Sequence, residues 1–155
     1  MKKALSLLSL ALVATMSFSA QAYDADMAAK IAPMAARLDH ATLASGKGCK
    51  VSAEDVLKMR AKKEKITLLD VRTDAEAKVV AMPDAIHIPM DRLLRPENLA
   101  KLPTDGKLIV VCHSGNRAAG STALLNAIGF KNAVYVNGGL IALTTATTPA
   151  TVPVE

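Results

Sequence analysis

Leu108-Ile109-Val110-Val111 is an unbroken apolar run that ends in Cys112, and a short polar loop, His113-Ser114-Gly115-Asn116, leads from it to Arg117 and an alanine-rich stretch. Four consecutive apolar residues without alternation mark a strand buried on both faces, the kind found in parallel sheets covered by helices. The segment from Arg117 to Ile128 reads as a helix, with Ala118, Ala119, Ala123, Leu124, Ala127 and Ile128 available for packing and Gly129 as its stop. A strand that feeds a helix through so short a loop restricts the chain to an α/β fold. It also puts Cys112 at a strand's carboxyl end, where the ligands of such sheets bind. A sulfur there faces unpaired backbone N–H groups, the positive end of a helix dipole and a guanidinium, all of which stabilise negative charge on it. Gly115 lets successive N–H groups converge above the sulfur as an anion-binding nest, and Arg117 adds a permanent charge suited to an oxyanion.

The flanking chain fits the same architecture. Ser52 followed by Glu54 and Asp55 is an N-cap pattern, and a short helix continues through Val56, Leu57 and Arg60. Ile66-Thr67-Leu68-Leu69 predicts a strand from about Lys65 to Arg72, followed by a helix-permissive stretch from Thr73 to Val80 and a turn at Met82-Pro83-Asp84. Ala85 to Pro89 reads as a brief strand. Asp91 begins a helical segment that Pro96 restarts and that runs to Leu102. Ala133 to Val136 is one more strand, and Asn137-Gly138-Gly139 reads as a turn. Strands alternating with helices imply a three-layer α/β domain with a mostly parallel central sheet, here over residues 49–143, with a loosely ordered tail over 144–155.

The first 22 residues stand apart. Lys2 and Lys3, the apolar run Ala4 to Val13 and Ala20-Gln21-Ala22 have the form of a cleavable export signal, which predicts a periplasmic or otherwise exported chain with no stable membrane insertion. Residues 23–48 then read as an extra N-terminal helix, with Met27, Ile31, Met34 and Leu38 on one face, and a linker at Ser45-Gly46-Lys47-Gly48. The formal charge of +5 is scattered and aromatic residues make up only 3%, so no nucleic-acid surface is expected. In an oxidising compartment Cys49 and Cys112 would be candidates for a disulfide, either structural or a redox switch. The position of Cys112 at a strand-to-helix turn favours a reactive thiol instead.

The motifs, taken in order, resemble the rhodanese-like sulfurtransferase family from about Val51 to Leu143. They are Leu68-Leu69-Asp70-Val71-Arg72, Met82 to Pro89, Cys112 to Arg117, Gly129-Phe130-Lys131-Asn132 and Asn137-Gly138-Gly139-Leu140. The resemblance implies a rhodanese-like fold and a persulfide cycle. In that cycle Cys112 takes a sulfane sulfur from a small anionic donor such as thiosulfate or a polysulfide and passes it to cyanide or a thiol. His113, Ser114, Gly115, Asn116, Arg117 and Ala118 would surround the bound sulfur, and no metal or organic cofactor is implied. The chain departs from the family pattern at Ala75-Glu76-Ala77-Lys78 and at Val80-Ala81-Met82-Pro83, and no tryptophan follows Gly139. The extra N-terminal helix would either cover the active-site rim or mediate a homodimer.

The four residues between Cys112 and Arg117 make a loop one residue shorter than in the phosphatases and arsenate reductases of this architecture. The smaller space suits a single sulfur atom rather than a phosphate. A persulfide carrier that does not turn over, or a sulfur-relay or redox-partner binding protein, stands as the alternative, and a carrier would need the same loop. Asp70 and Arg72 read as an ion pair that braces the sheet end, His113 as a polar loop residue, His87 as structural and His40 as a helix-surface residue.

Overall fold

The computed structural model describes residues 24–35 and 48–147. Its elements, in chain order, are α1 (Ala25–Ala35), β1 (Lys50–Val51), α2 (Ala53–Ala61), β2 (Ile66–Asp70), α3 (Asp74–Val79) and β3 (Ala85–His87). A 3-10 turn (Met90–Arg92) then precedes α4 (Pro96–Leu99), β4 (Lys107–Val111), α5 (Asn116–Ala127), β5 (Ala133–Val136) and α6 (Gly139–Ala146). The five strands form one sheet in the order β1-β5-β4-β2-β3, and every neighbouring pair is parallel.

β4 is the central strand. Leu108, Val110 and Cys112 face a core layer shared with Ala118 and Leu125 of α5, while Ile109 and Val111 face a second layer with Ala53, Val56 and Met59 of α2 and Leu143 of α6. Every residue from Leu108 to Val111 has no exposed surface, which is why the run shows no alternation. Parallel pairing puts the carboxyl ends of all the strands at one end of the sheet, so the loops after β2 and β4 come together there.

Several boundaries move. β2 closes at Asp70, and the helical stretch after Asp91 resolves into the 3-10 turn and a single short helix ending at Leu99. α1 starts with Asp24 accepting from the Met27 N–H at 2.9 Å. Two of its apolar side chains stand in solvent, Met27 52% exposed and Ile31 39%. The rest of the expected N-terminal helix and linker, residues 36–47, lies outside the described residues, as do the export signal over 1–22, His40 and Leu38.

The turn expected at Asn137-Gly138-Gly139 is present at Asn137 and Gly138, whereas the loose tail expected from Thr144 needs correction. Gly138, with φ +77°, caps a helix that runs through Ala146, and Leu143 seats that helix in the second core layer. Thr144 and Thr145 satisfy their hydroxyls by donating back to the carbonyls of Leu140 and Ile141, so weak helix formers are carried by tertiary packing. The described part of the 144–155 tail is thus helical as far as Ala146.

Candidate active site

Cys112 follows the last residue of β4 and is 1% exposed. Its Sγ accepts from the Gly115 N–H at 3.1 Å and the Ala118 N–H at 3.4 Å, so two backbone dipoles converge on the sulfur. Gly115 makes this turn possible. It sits at φ +101°, a left-handed conformation that disfavours a side chain, and it precedes the first residue of α5. His113, Ser114 and Asn116 are exposed at the loop's outer surface, Arg117 is half-buried, and Ala118 is buried beneath the sulfur.

α6 clamps this loop from the other side. The N–H groups of Leu140 and Ile141 donate to the carbonyls of Cys112 at 2.8 Å and His113 at 3.2 Å. Gly139, at φ +59°, packs against the loop so closely that a Cβ would overlap the Cys112 carbonyl oxygen and stand 2.7 Å from both Gly115 N and His113 O. These neighbours are backbone atoms and cannot swing aside. Gly139→Ala is therefore expected to destabilise the fold by about 1–3 kcal/mol in urea unfolding and to open the loop. Faster alkylation of Cys112 by iodoacetamide at low denaturant would report that opening, and unchanged stability and labelling would refute the close packing.

Arg117 is not a free cation. Its guanidinium makes a two-pronged bond to Glu76, Nη1 to Oε2 at 2.7 Å and Nη2 to Oε1 at 2.6 Å. Glu76 in turn is held by a capping box at the start of α3. Its Oε2 accepts from the Thr73 N–H at 3.0 Å and its own N–H donates to Thr73 Oγ1 at 3.2 Å. The Arg117 fork, aided by the Thr73 N–H, holds the Glu76 carboxyl well below the ordinary glutamate range, and the same bond raises Arg117. Glu76 is the site residue that reading Cys112 to Ala118 alone misses. From sequence, Thr73 to Val80 reads only as helix-permissive; the Thr73-x-x-Glu76 spacing is a local signal for the cap, and no local signal points to an arginine 41 positions away.

A depressed carboxyl contributes stability that is fully present above its ordinary value, about 4.5, and drains away as pH falls from there toward the folded-state value. Glu76→Gln should therefore lower the urea midpoint at neutral pH, with the gap from the parent closing progressively below about pH 4.5. The pair is about a third exposed, so solvent screening keeps the neutral-pH gap modest. A gap that stays constant down to pH 3 would rule out this linkage.

Asp70 and Arg72 form the buried ion pair read from sequence, each side chain 2% exposed. Arg72 Nη2 also donates to the Val80 carbonyl at 2.7 Å, which pins the end of α3 beside the site. His87 has a structural place, its Nε2 2.9 Å from the Arg72 carbonyl oxygen. Cys49 and Cys112 are both free. Cys49 precedes the edge strand β1, whose Lys50 is level with Tyr135 and hence with Val110, two strands across. Strand spacing and rise put its Cα more than about 10 Å from that of Cys112, beyond disulfide reach, so the pairing considered from sequence does not fit this fold.

The family model for the rhodanese-like domain matches residues 52–146. A protein of Allochromatium vinosum named "Sulfurtransferase" is 32% identical over 92 residues, which cover 59% of this chain and 84% of that protein. The Mycobacterium tuberculosis protein named "Probable adenylyltransferase/sulfurtransferase MoeZ" is 37% identical over 78 residues, half of this chain but only 20% of that protein. Among solved structures, a rhodanese-related protein from Thermoplasma volcanium superposes with a TM-score of 0.55 at 30% identity, covering 64% of this chain and 94% of that one.

Proposed function

The chain belongs to the rhodanese-like domain family, and on that premise we propose that it is a sulfurtransferase working through a persulfide on Cys112. The observation that carries the reading is the cradle itself: a sulfur at the carboxyl end of the central strand, met by the N–H groups of Gly115 and Ala118. In the first half-reaction the Cys112 thiolate attacks the outer sulfur of thiosulfate. A Cys112–S–S⁻ bond forms, the donor's S–S bond breaks, and sulfite leaves with the bonding electrons. In the second half-reaction cyanide or a thiolate attacks the terminal sulfur of the persulfide and Cys112 is released as thiolate. The Gly115 and Ala118 N–H groups that meet Sγ stabilise the Cys112 thiolate that attacks in the first half-reaction and leaves in the second. His113, Ser114, Asn116 and Arg117 surround the sulfur's approach, with Arg117 held in place by Glu76.

We place this activity outside the cytoplasm, after removal of residues 1–22. The leader pattern of Lys2-Lys3, the apolar run and Ala20-Gln21-Ala22 supports that location. The test is to incubate protein lacking residues 1–22 with thiosulfate, measure its mass, then add cyanide and follow thiocyanate. The mass is expected to rise by one sulfur and to return with thiocyanate release. Uptake without turnover would favour a persulfide carrier, and no uptake from thiosulfate or polysulfide would sink the proposal.

A further inference from the structure

Beside the catalytic loop opens a groove of about 450 Å³ whose lips are aliphatic. Val79 and Val80, at the end of α3, form one lip, and Leu140 and Ile141 of α6 form the other. Val79 is 84% exposed, Ile141 50% and Val80 46%, so three large apolar side chains stand in water around one opening. Such clustering, unlike a lone exposed valine, marks a surface that a partner covers. Val80 is held in this position by the bond from Arg72 to its carbonyl, so the lip is a built feature. It also falls in the stretch where the chain departs from its family's pattern.

The charges within the groove are already balanced. Its charged lining, among the described residues, is Arg72 and Glu76; Arg72 is consumed by Asp70, and Glu76 by Arg117, while the exposed His113 ring joins the groove to the catalytic loop. The Thr144 hydroxyl is spent on the carbonyls of Leu140 and Ile141. A groove with compensated charges and aliphatic lips offers little to a small hydrated anion and complements a neutral, apolar surface. Its volume lies in the range of sites that enclose several side chains or a drug-sized ligand, more than one sulfur atom requires.

We infer that this groove receives the sulfur acceptor, and that the acceptor is a cysteine of a partner polypeptide flanked by aliphatic residues. The inference rests on the persulfide reading above and names its acceptor. In the transfer, the partner's thiol first loses its proton to solvent. The resulting thiolate attacks the terminal sulfur of Cys112–S–S⁻, the Cys112 sulfur–sulfur bond breaks, and the partner leaves as R–S–S⁻ while Cys112 returns to thiolate. Charge and sulfur balance without a further oxidant. Val79, Val80 and Ile141 set the specificity by burying the aliphatic neighbours of the incoming cysteine.

The test uses protein loaded with persulfide and freed of donor, reacted with two blocked tripeptides, Leu-Cys-Leu and Ser-Cys-Ser, and separately with cyanide. Single-turnover loss of the extra sulfur is followed by mass. The leucine peptide is expected to react about tenfold faster than the serine peptide, the size of effect a few buried methylenes give. In the double variant Val79→Ser/Ile141→Ser the ratio of its rate to the cyanide rate should fall about tenfold. Equal rates for the two peptides, or a ratio that the variant leaves unchanged, would overturn the inference. A second measurement does not depend on loading: Leu-Ser-Leu should shift the methyl resonances of Val79 and Ile141 in the resting protein, and Ser-Ser-Ser should not. Absence of a persulfide would then count against the proposed function, whereas a persulfide without peptide preference or methyl shifts would count against the groove. A dimer of this chain that blocks the peptide's methyl shifts would assign the groove to a second copy and also overturn the inference.

Discussion

Cys112→Ser is expected to abolish both sulfur uptake and thiocyanate formation while leaving the protein folded. The substituted oxygen stays within the same two-amide cradle, so Gly115 and Ala118 still find an acceptor for their N–H groups. A serine hydroxyl remains protonated at neutral pH and is a poor nucleophile toward sulfur. The buried thiol behaves as a small apolar group, and the oxygen that replaces it is hydrogen-bonded, so the stability change should stay within about 1 kcal/mol. Turnover is expected to drop to background, with the mass unchanged after thiosulfate. Cys49→Ser serves as the counterpart: Cys49 lies before the edge strand, away from the carboxyl end, and its loss should leave uptake intact. Activity that survives Cys112→Ser, or that vanishes in Cys49→Ser, would remove the nucleophile assignment.

What could be read from the chain itself follows the reach of each interaction. Leu108 to Val111 announced a doubly buried parallel strand because burial on two faces leaves its mark on consecutive residues. The Cys112 loop and the Asp70–Arg72 pair were visible for the same reason, since their partners lie within six positions. β1 was not visible, because Lys50 and Val51 are too few to display a period. α6 was hidden by its own composition: two glycines at the start resemble a turn, and threonines favour helix weakly. Its helicity comes from Leu143 entering the core and from amides that meet the carbonyls of Cys112 and His113, contacts that join distant parts of the chain. Glu76 belongs to the same class. Its cap is a local contact within α3, but its grip on Arg117 exists only once the loops after β2 and β4 lie side by side.

That convergence depends on the Asp70–Arg72 pair, and Asp70→Asn should be the most destabilising single change at the site. Asp70 accepts from the Arg72 backbone N–H at 3.0 Å and from Nε at 2.9 and 3.0 Å, and its Oδ2 takes Nη2 at 2.7 Å. With both side chains 2% exposed, removing one charge strands the other almost wholly shielded from water. Breaking a buried pair in this way costs about 3–5 kcal/mol, against a total stability for a domain of about 5–15 kcal/mol. The loss should appear as a lower urea midpoint with an unchanged slope and a fall in Tm on the order of 10 °C or more. A double change, Asp70→Leu with Arg72→Met, separates the causes, because it removes the stranded charge while keeping apolar volume. It should recover much of the lost stability, as apolar replacements of buried pairs commonly do. It should not restore the Val79–Val80 lip, whose anchor is the bond from Arg72 Nη2 to the Val80 carbonyl. Preference for the leucine peptide should therefore stay low in a protein that is again stable. A loss of less than about 1 kcal/mol in Asp70→Asn would mean that water reaches this pair and that the brace is not what sets the mouth of the site.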